Sequence, residues 1–213
     1  MPEPAGQLGK SLRIDVELPP AEVERDLAAL HQRMRRHGDA LHDLPVLPIH
    51  YPHLRFRYRE ADGEHYIYVE DVERDCLAGV TVFNRLIELN RLQDRHLRAT
   101  HSRYASAYQR RGIATLIYRW WLDQGHCLLS GARQSLAAHA LWQKLATSYQ
   151  LHYVDLRDKQ LTLLGENIDQ ARRNDLHTRL LLLGRGLDLC TFADLVRIKV
   201  DEDARLIQNN RTA

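Results

Sequence analysis

The chain has 213 residues, of which 44% are apolar and 27% charged, and its formal net charge is +2. That length holds one ordinary domain plus an extension and excludes two large domains. No apolar run approaches the roughly 18–20 residues of a membrane span; the longest leucine block, residues 180–183, has four. The opening MPEPAGQLGK carries neither the basic patch nor the apolar stretch of a secretion signal. Cys76, Cys127 and Cys190 are scattered and form no CxxC pair, a usage that suits a reducing cytosol better than a disulfide framework or a zinc site. The expectation is a cytoplasmic protein with no membrane span and no metal.

Residues 11–18 (SLRIDVEL) alternate apolar and polar, the pattern of a strand with one buried face. A helix is expected from Pro20 to Gly38: proline opens it, Glu22 and Glu24 sit in its first turn, and Arg35, Arg36 and His37 precede the closing glycine. Val23, Leu27, Leu30 and Met34 form its apolar stripe. Residues 42–52 contain Pro45, Pro48 and Pro52 and read as an extended loop. His50 and His53 have a ligand-like spacing there, but no acid or cysteine completes a set. Residues 54–59 alternate Leu54, Phe56 and Tyr58 with arginines, Asp62-Gly63 marks a hairpin turn, and residues 65–69 return as a second strand.

Residues 77–86 and 96–105 read as two further strands. Residues 112–124 form a helix with Ile113, Leu116, Ile117 and Trp120 on one face. A short strand follows at 127–129, then a helix at 134–147 that buries Leu136, Ala140, Leu141 and Leu145. Residues 152–156 and 160–164 read as the last two strands. An extra helix is expected at 168–183, with Leu176, Leu180 and Leu183 spaced for packing and available as a homodimer surface. The final dozen residues are polar and read as loose. Charge is uneven along this order. Residues 91–120 hold seven arginines against Asp94, and residues 60–75 hold seven acids against Arg74. Such a pair of stretches suits an anionic ligand at one end of a site and a cationic one at the other; it equally suits two solvated faces.

The most informative stretch is Tyr104-Ala-Ser-Ala-Tyr-Gln-Arg-Arg-Gly-Ile-Ala114, where a strand runs into a helix. Gln109-Arg110-Arg111-Gly112-Ile113-Ala114 resembles the (Gln/Arg)-x-x-Gly-x-(Gly/Ala) signature of the GNAT N-acetyltransferase superfamily. The chemistry behind such a pattern is direct. A helix N-terminus offers unpaired N–H groups and partial positive charge to a pyrophosphate. Gly112 allows close approach, Ala114 keeps bulk away, and Arg110 and Arg111 add full charge. Downstream, Cys127-Leu-Leu-Ser-Gly131, Gln134-Ser135 and Leu141-Trp-Gln-Lys-Leu145 are similar to the family's fifth strand and following helix, most of all in phage- and mobile-element-type members.

The resemblance covers about residues 11–165. It implies an α/β (α+β) fold, GNAT-like, with a mixed and mostly antiparallel central sheet flanked by helices over residues 1–165. Residues 166–213 would then be a C-terminal helical extension and tail. It also implies acetyl-CoA or a longer acyl-CoA as co-substrate, contacted by Tyr104, Ser106, residues 109–114, Ser135 and Trp142, and an amine acceptor. Two features depart from the family: the strand at 54–59 and the extension after Gly165.

Acyl transfer to an amine needs a base for the amine and an acid for the thiolate. Many family members supply the acid from a tyrosine on the helix after the fifth strand. Trp142 stands at that position here, and indole cannot donate in this way, so Tyr149 and His139 are the substitutes nearby. No glutamate base lies on the strand before the motif. His96 at its start is the candidate, since imidazole titrates near neutrality; a water chain could do the same work. Three functions follow: acyl transfer to a small, possibly cationic amine, toxin-like acylation of a protein or aminoacyl-tRNA, and a CoA-binding or interaction module without catalysis. No Walker loop, Gly-x-Ser-x-Gly elbow or dinucleotide fingerprint is present.

Overall fold

The structure is a computed structural model, and it describes residues 19–200. The strand expected at 11–18 and the polar final residues lie outside them. Helix α1 (Pro20–Arg35) starts with proline in its first turn and ends on Arg33 and Arg35, as its dipole favours. Its stripe is Leu27, His31 and Met34, with Val23 and Leu30 half-buried. The proline-rich loop runs along the edge of β1 (Leu54–Ala61): Leu47 N donates to Phe56 O at 2.8 Å and Tyr58 N to Pro45 O at 2.8 Å. Strand β2 (Glu64–Asp71) returns through the Asp62–Gly63 turn, and β3 (Cys76–Asn84), a four-residue α2 (Arg91–Asp94) and β4 (Leu97–Tyr104) follow. Then come α3 (Ile113–Asp123), β5 (Cys127–Leu129), α4 (Leu136–Ala146), β6 (Leu151–Arg157) and β7 (Gln160–Gly165).

With β8 (Thr178–Leu182) and β9 (Lys199–Val200), the nine strands of the described residues form one sheet in the order β1-β2-β3-β4-β5-β8-β6-β7-β9. All neighbours are antiparallel except β4 with β5 and β7 with β9. It is a mixed, mostly antiparallel sheet flanked by helices, the fold class expected. Strand alternation divides the core. Phe56, Ile67, Val69, Leu128, Leu180 and Leu182 face α3 and α4, which contribute Ile113, Ile117, Trp121, Leu122, Trp142 and Leu145. On the opposite face, α1 covers Tyr68, Leu77 and Val80. Farther along that face Phe192 and Val196 of α6 (Leu189–Val196) cover Leu97, Leu129, Val154, Leu181 and Leu183.

Two expectations need correction. Helix α4 is rotated from the predicted stripe: Trp142 and Leu145 are buried, whereas Leu136 is 82% exposed and Ala140 faces solvent. The Trp142 ring enters the same core cluster as Leu145, with Leu141 half-buried against it, so the one large aromatic of the helix sets which face turns inward. Second, residues 168–183 are no single helix. They form a short α5 (Gln170–Asn174) and a strand β8 (Thr178–Leu182) that inserts between β5 and β6. A short leucine run fits a strand buried on both faces as well as a helix stripe, and periodicity alone does not separate the two. The stretch past residue 165 therefore supplies a central strand of the same sheet instead of a helical extension. Leu180 and Leu183, expected on a dimer surface, are 4% and 1% exposed inside the core.

Where β3 and β4 cross, the backbones press together at Gly79. A Cβ built there would lie 2.1 Å from Tyr104 Cδ1 and 2.6 Å from Arg103 O. Gly79→Ala is expected to cost about 1–3 kcal/mol through forced shifts of strand and ring. The check is a lower urea midpoint at unchanged slope; a wild-type midpoint would refute this packing.

Candidate functional site

The sheet opens between β4 and β5. Strand β4 pairs with β5 only at Leu97↔Cys127, Arg98↔Leu128 and Ala99↔Leu129. Beyond Leu129 the β5 chain commits to its other neighbour: Ser130 N donates to Leu180 O at 2.8 Å, and Leu180 N donates to Ser130 Oγ at 2.9 Å. Strand β4 continues to Tyr104 with β3 as its partner. Ala105 N donates to Ala78 O at 3.0 Å, which fixes the antiparallel alternation. Residues 101, 103 and 105 turn their main-chain groups to β3, so Thr100, Ser102 and Tyr104 turn theirs into the fork. An extended, amide-bearing chain can pair there like an added strand.

At the mouth of the fork the chain makes a 3-10 turn (Ser106–Tyr108) and then enters α3. Arg110 (φ 56°) and Gly112 (φ 80°) are both left-handed, and Gly112 caps α3 without any side-chain hydrogen bond. Among the described residues no protein group accepts from the main-chain amides of residues 110–115. A Cβ on Gly112 would meet nothing within 4 Å, and Arg110 and Arg111 are exposed beside that open space. Unpaired amides, a helix dipole and two guanidinium groups make an anion site. A pyrophosphate joined to an amide-bearing arm, as in CoA, fits this combination of site and fork.

Tyr108 fastens this turn to the sheet. Its hydroxyl donates to Asp71 Oδ2 at 2.6 Å and lies 3.4 Å from Cys76 Sγ. Asp71 Oδ1 accepts from the amides of Glu73 and Arg74 at 3.0 and 2.9 Å. Burial pushes the Asp71 carboxyl up, but the Tyr108 hydroxyl and those two amides outweigh it and leave it below the usual value. Burial, then the bond to Asp71, pushes the Tyr108 phenol up. Beneath α3 a hydroxyl chain joins Tyr104 to Thr81 (2.8 Å), Thr81 to Ser102 (2.8 Å) and Ser102 to Tyr118 (3.3 Å). Sequence periodicity gave no sign of Asp71, Thr81 or Tyr118, because each depends on pairing between distant strands or a helix.

Tyr104, Ser106 and residues 109–114 come together at this corner. Gln109 Nε2 donates to Tyr104 O at 3.1 Å, so this glutamine closes the strand end while its neighbours stay open. Ile113 contributes its amide, since its side chain is anchored in the core. The remaining expected residues lie elsewhere. Ser135 Oγ caps α4 by accepting from Ala138 N at 3.1 Å, and Trp142 is 2% exposed in the core. His139 is exposed on α4. The Tyr149 hydroxyl donates to Asp123 Oδ1 at 2.7 Å, at the C-terminal end of α3. That end is about 16 Å of helix from the amides at the other, so Tyr149 braces the helix and does not meet the fork. His96 stands at the foot of β4. Burial, then Arg95 and Arg98, lowers its pKa and favours the neutral ring, which can accept a proton. It lies about 10 Å of strand below Ala99, where the fork begins.

The acidic stretch is largely occupied. Glu70 meets Arg57 at 2.9 Å, Glu73 meets His53 at 2.6 Å, and Asp75 pairs with Arg35. It therefore offers less to a cationic acceptor than its charge count suggested. Among the described residues no group of three His, Cys, Asp or Glu stands together as metal ligands, and no helix is long and apolar enough to cross a membrane.

No family model matches the chain, and no curated protein matches its sequence. Solved structures do. One is a mutant spermidine N-acetyltransferase SpeG from Vibrio cholerae, with TM-score 0.34 and 18% identity over 58% of this chain and 66% of that one. The alignment thus spans less than two thirds of that enzyme. The spermidine/spermine N-acetyltransferase SpeG from Vibrio cholerae in complex with manganese ions gives 0.34 and 16% over 58% and 67%. A chimera of the Vibrio cholerae enzyme with hSSAT gives 0.35 and 15% over 78% and 92%. A likeness at these scores fixes neither activity nor substrate.

Asp71 yields a test of the Tyr108 fastening. Its folded pKa lies below its unfolded one, so the carboxylate contributes stability that is present above the unfolded value of about 3.9 and is lost as pH falls below it. Urea midpoints measured from pH 7 to 3 should fall at the acid end, and Asp71→Asn should flatten part of that fall. An identical acid slope in Asp71→Asn would contradict the assignment.

Proposed function

We propose that this chain is a GNAT-type N-acyltransferase that moves an acetyl or longer acyl group from acyl-CoA to an amine in a ternary complex. One observation carries the reading: the amides at the start of α3, which no protein acceptor takes, stand at the mouth of the fork between β4 and β5. The amides of residues 110–115, with Arg110 and Arg111, hold the pyrophosphate. The main-chain groups of Thr100 and Ser102 hold the amides of the pantetheine arm, which lays the thioester toward Ala99 at the base of the fork. The amine attacks the thioester carbonyl, the carbon–sulfur bond breaks, and the thiol leaves with a proton. His96, neutral and at the foot of the same strand, takes the amine's proton through intervening water. Ser135 and Trp142 act through packing of α4, with no direct contact to the cofactor.

A second reading keeps the cofactor and drops the chemistry: a CoA-binding module without turnover. Trp142, buried where family members carry an acidic tyrosine, and Tyr149, engaged by Asp123, favour it. Release of free thiol over a panel of primary amines separates the two.

Acetyl-CoA at about a hundred times its Kd should stabilise the protein by about 2.7 kcal/mol, a rise of roughly 5–10 °C in Tm for a chain of this size. Gly112→Asp should abolish that rise and lower the unliganded stability by about 1 kcal/mol, because the left-handed backbone at this position strains any side chain. Its carboxylate enters open space and suits a helix N-terminus, but it repels a diphosphate. A rise as large as wild type in this variant would remove the pyrophosphate from α3. His96→Ala should keep the acetyl-CoA shift and lose about 100-fold or more in thiol release; full turnover would remove His96 from the reaction.

A further inference from the structure

Beside the pyrophosphate loop stands a second cationic group that sequence order hides. The β2–β3 turn, residues 72–75, reaches the loop through the Tyr108–Asp71 bond. Arg74 from that turn lies over the Tyr108 ring at 5.9 Å, and Arg111 from the loop lies over the same ring at 5.6 Å. Both side chains are exposed. Among the described residues neither makes an ion pair with a carboxylate. The acids flanking Arg74 are committed elsewhere, Glu73 to His53 and Asp75 to Arg35. Asp71, beneath, is filled by Tyr108 and two amides. Two guanidinium groups from separate elements are thus gathered on one fixed aromatic ring; Asp71 attracts Arg74 through space but makes no ion pair with it.

We propose that Arg74 is a specificity-determining residue: with Arg111 it binds the phosphate monoester on the ribose of the CoA nucleotide, next to the pyrophosphate held by α3. The inference rests on the acyl-CoA reading and adds the group that reads the nucleotide end. Guanidinium groups suit a phosphate dianion because they present several donors in a plane. The ring limits where the two can go, since each keeps a favourable contact with its face. The amides of α3 serve the diphosphate, which CoA shares with dephospho-CoA. The Arg74–Arg111 pair serves the phosphate by which the two ligands differ.

The experiment is calorimetric titration of the full chain with CoA and with dephospho-CoA, in wild type, Arg74→Gln and Arg74→Lys. Wild type should prefer CoA by about tenfold or more, the scale of one charge-assisted contact. Arg74→Gln should lose most of that preference while its Kd for dephospho-CoA stays within about twofold of wild type. Arg74→Lys should keep part of the preference. Glutamine preserves the backbone amide that bonds Asp71, so the turn is retained. An unchanged preference in Arg74→Gln, or equal weakening of both ligands, overturns the role of Arg74 and leaves the cofactor reading standing. Failure of wild type to bind either ligand overturns both.

Discussion

Strand β4 pairs with β5 over Leu97–Ala99 and with β3 over Ala99–Tyr104, and the open edge beside it depends on that change of partner. The cause is local. Ser130 ends β5 by exchanging hydrogen bonds with Leu180, which pulls the chain toward β8. The carbonyl of Thr100, both main-chain groups of Ser102 and the amide of Tyr104 are left facing a gap, while Gln109 takes the Tyr104 carbonyl. An interior strand edge of this kind is costly to leave dry, because each unpaired N–H or C=O forfeits a hydrogen bond. Water or a ligand must fill it. The same strand then delivers the chain into a helix whose first amides are also unclaimed. Two sets of unsatisfied main-chain groups, one linear and one convergent, are thus contiguous in sequence and in space.

Rigidity around the gap is supplied from outside it. Tyr108 is anchored on Asp71, the hydroxyl chain from Thr81 to Tyr118 pins the α3 side of β4, and Ile113 plugs the start of α3 into the core. None of these side chains offers its polar end to a ligand. They hold backbone in place, and it is backbone that lines the gap. Such a division tolerates change in exposed side chains better than change in the braces, where a lost hydroxyl leaves a buried partner unsatisfied.

Much of this was legible in the sequence where local chemistry decides structure. The proline and acids at the start of α1, the Asp62-Gly63 turn and the Gln109–Ala114 pattern each specify an element within a few residues. The fork itself left no mark in the sequence, because it depends on where β5 changes partner. Legibility failed where tertiary pairing decides. The leucines at 180–183 fit a helix stripe or a doubly buried strand, and the choice is made by β5 and β6, which lie far away in sequence. The phase of α4 turned on which face hides one indole. Tyr149 and His139 were chosen for nearness in sequence to the expected helix, yet one is drawn to Asp123 and the other left in solvent. The braces at Asp71 and Thr81 belong to strands whose register no short window reveals.

The position of β8 bears on how the protein is made. It is the last strand but one in sequence order among those described, yet it sits between β5 and β6, which are not paired with each other in the sheet. A nascent chain that has emerged only through β7 holds two half-sheets with bare facing edges, each flanked by incomplete apolar cores. Unpaired edges of this sort template intermolecular pairing. Closure requires a strand synthesised late to thread between elements synthesised early, a non-local step of the kind that slows folding. The interval before β8 arrives is therefore the one in which the two edges lie most open to wrong pairing.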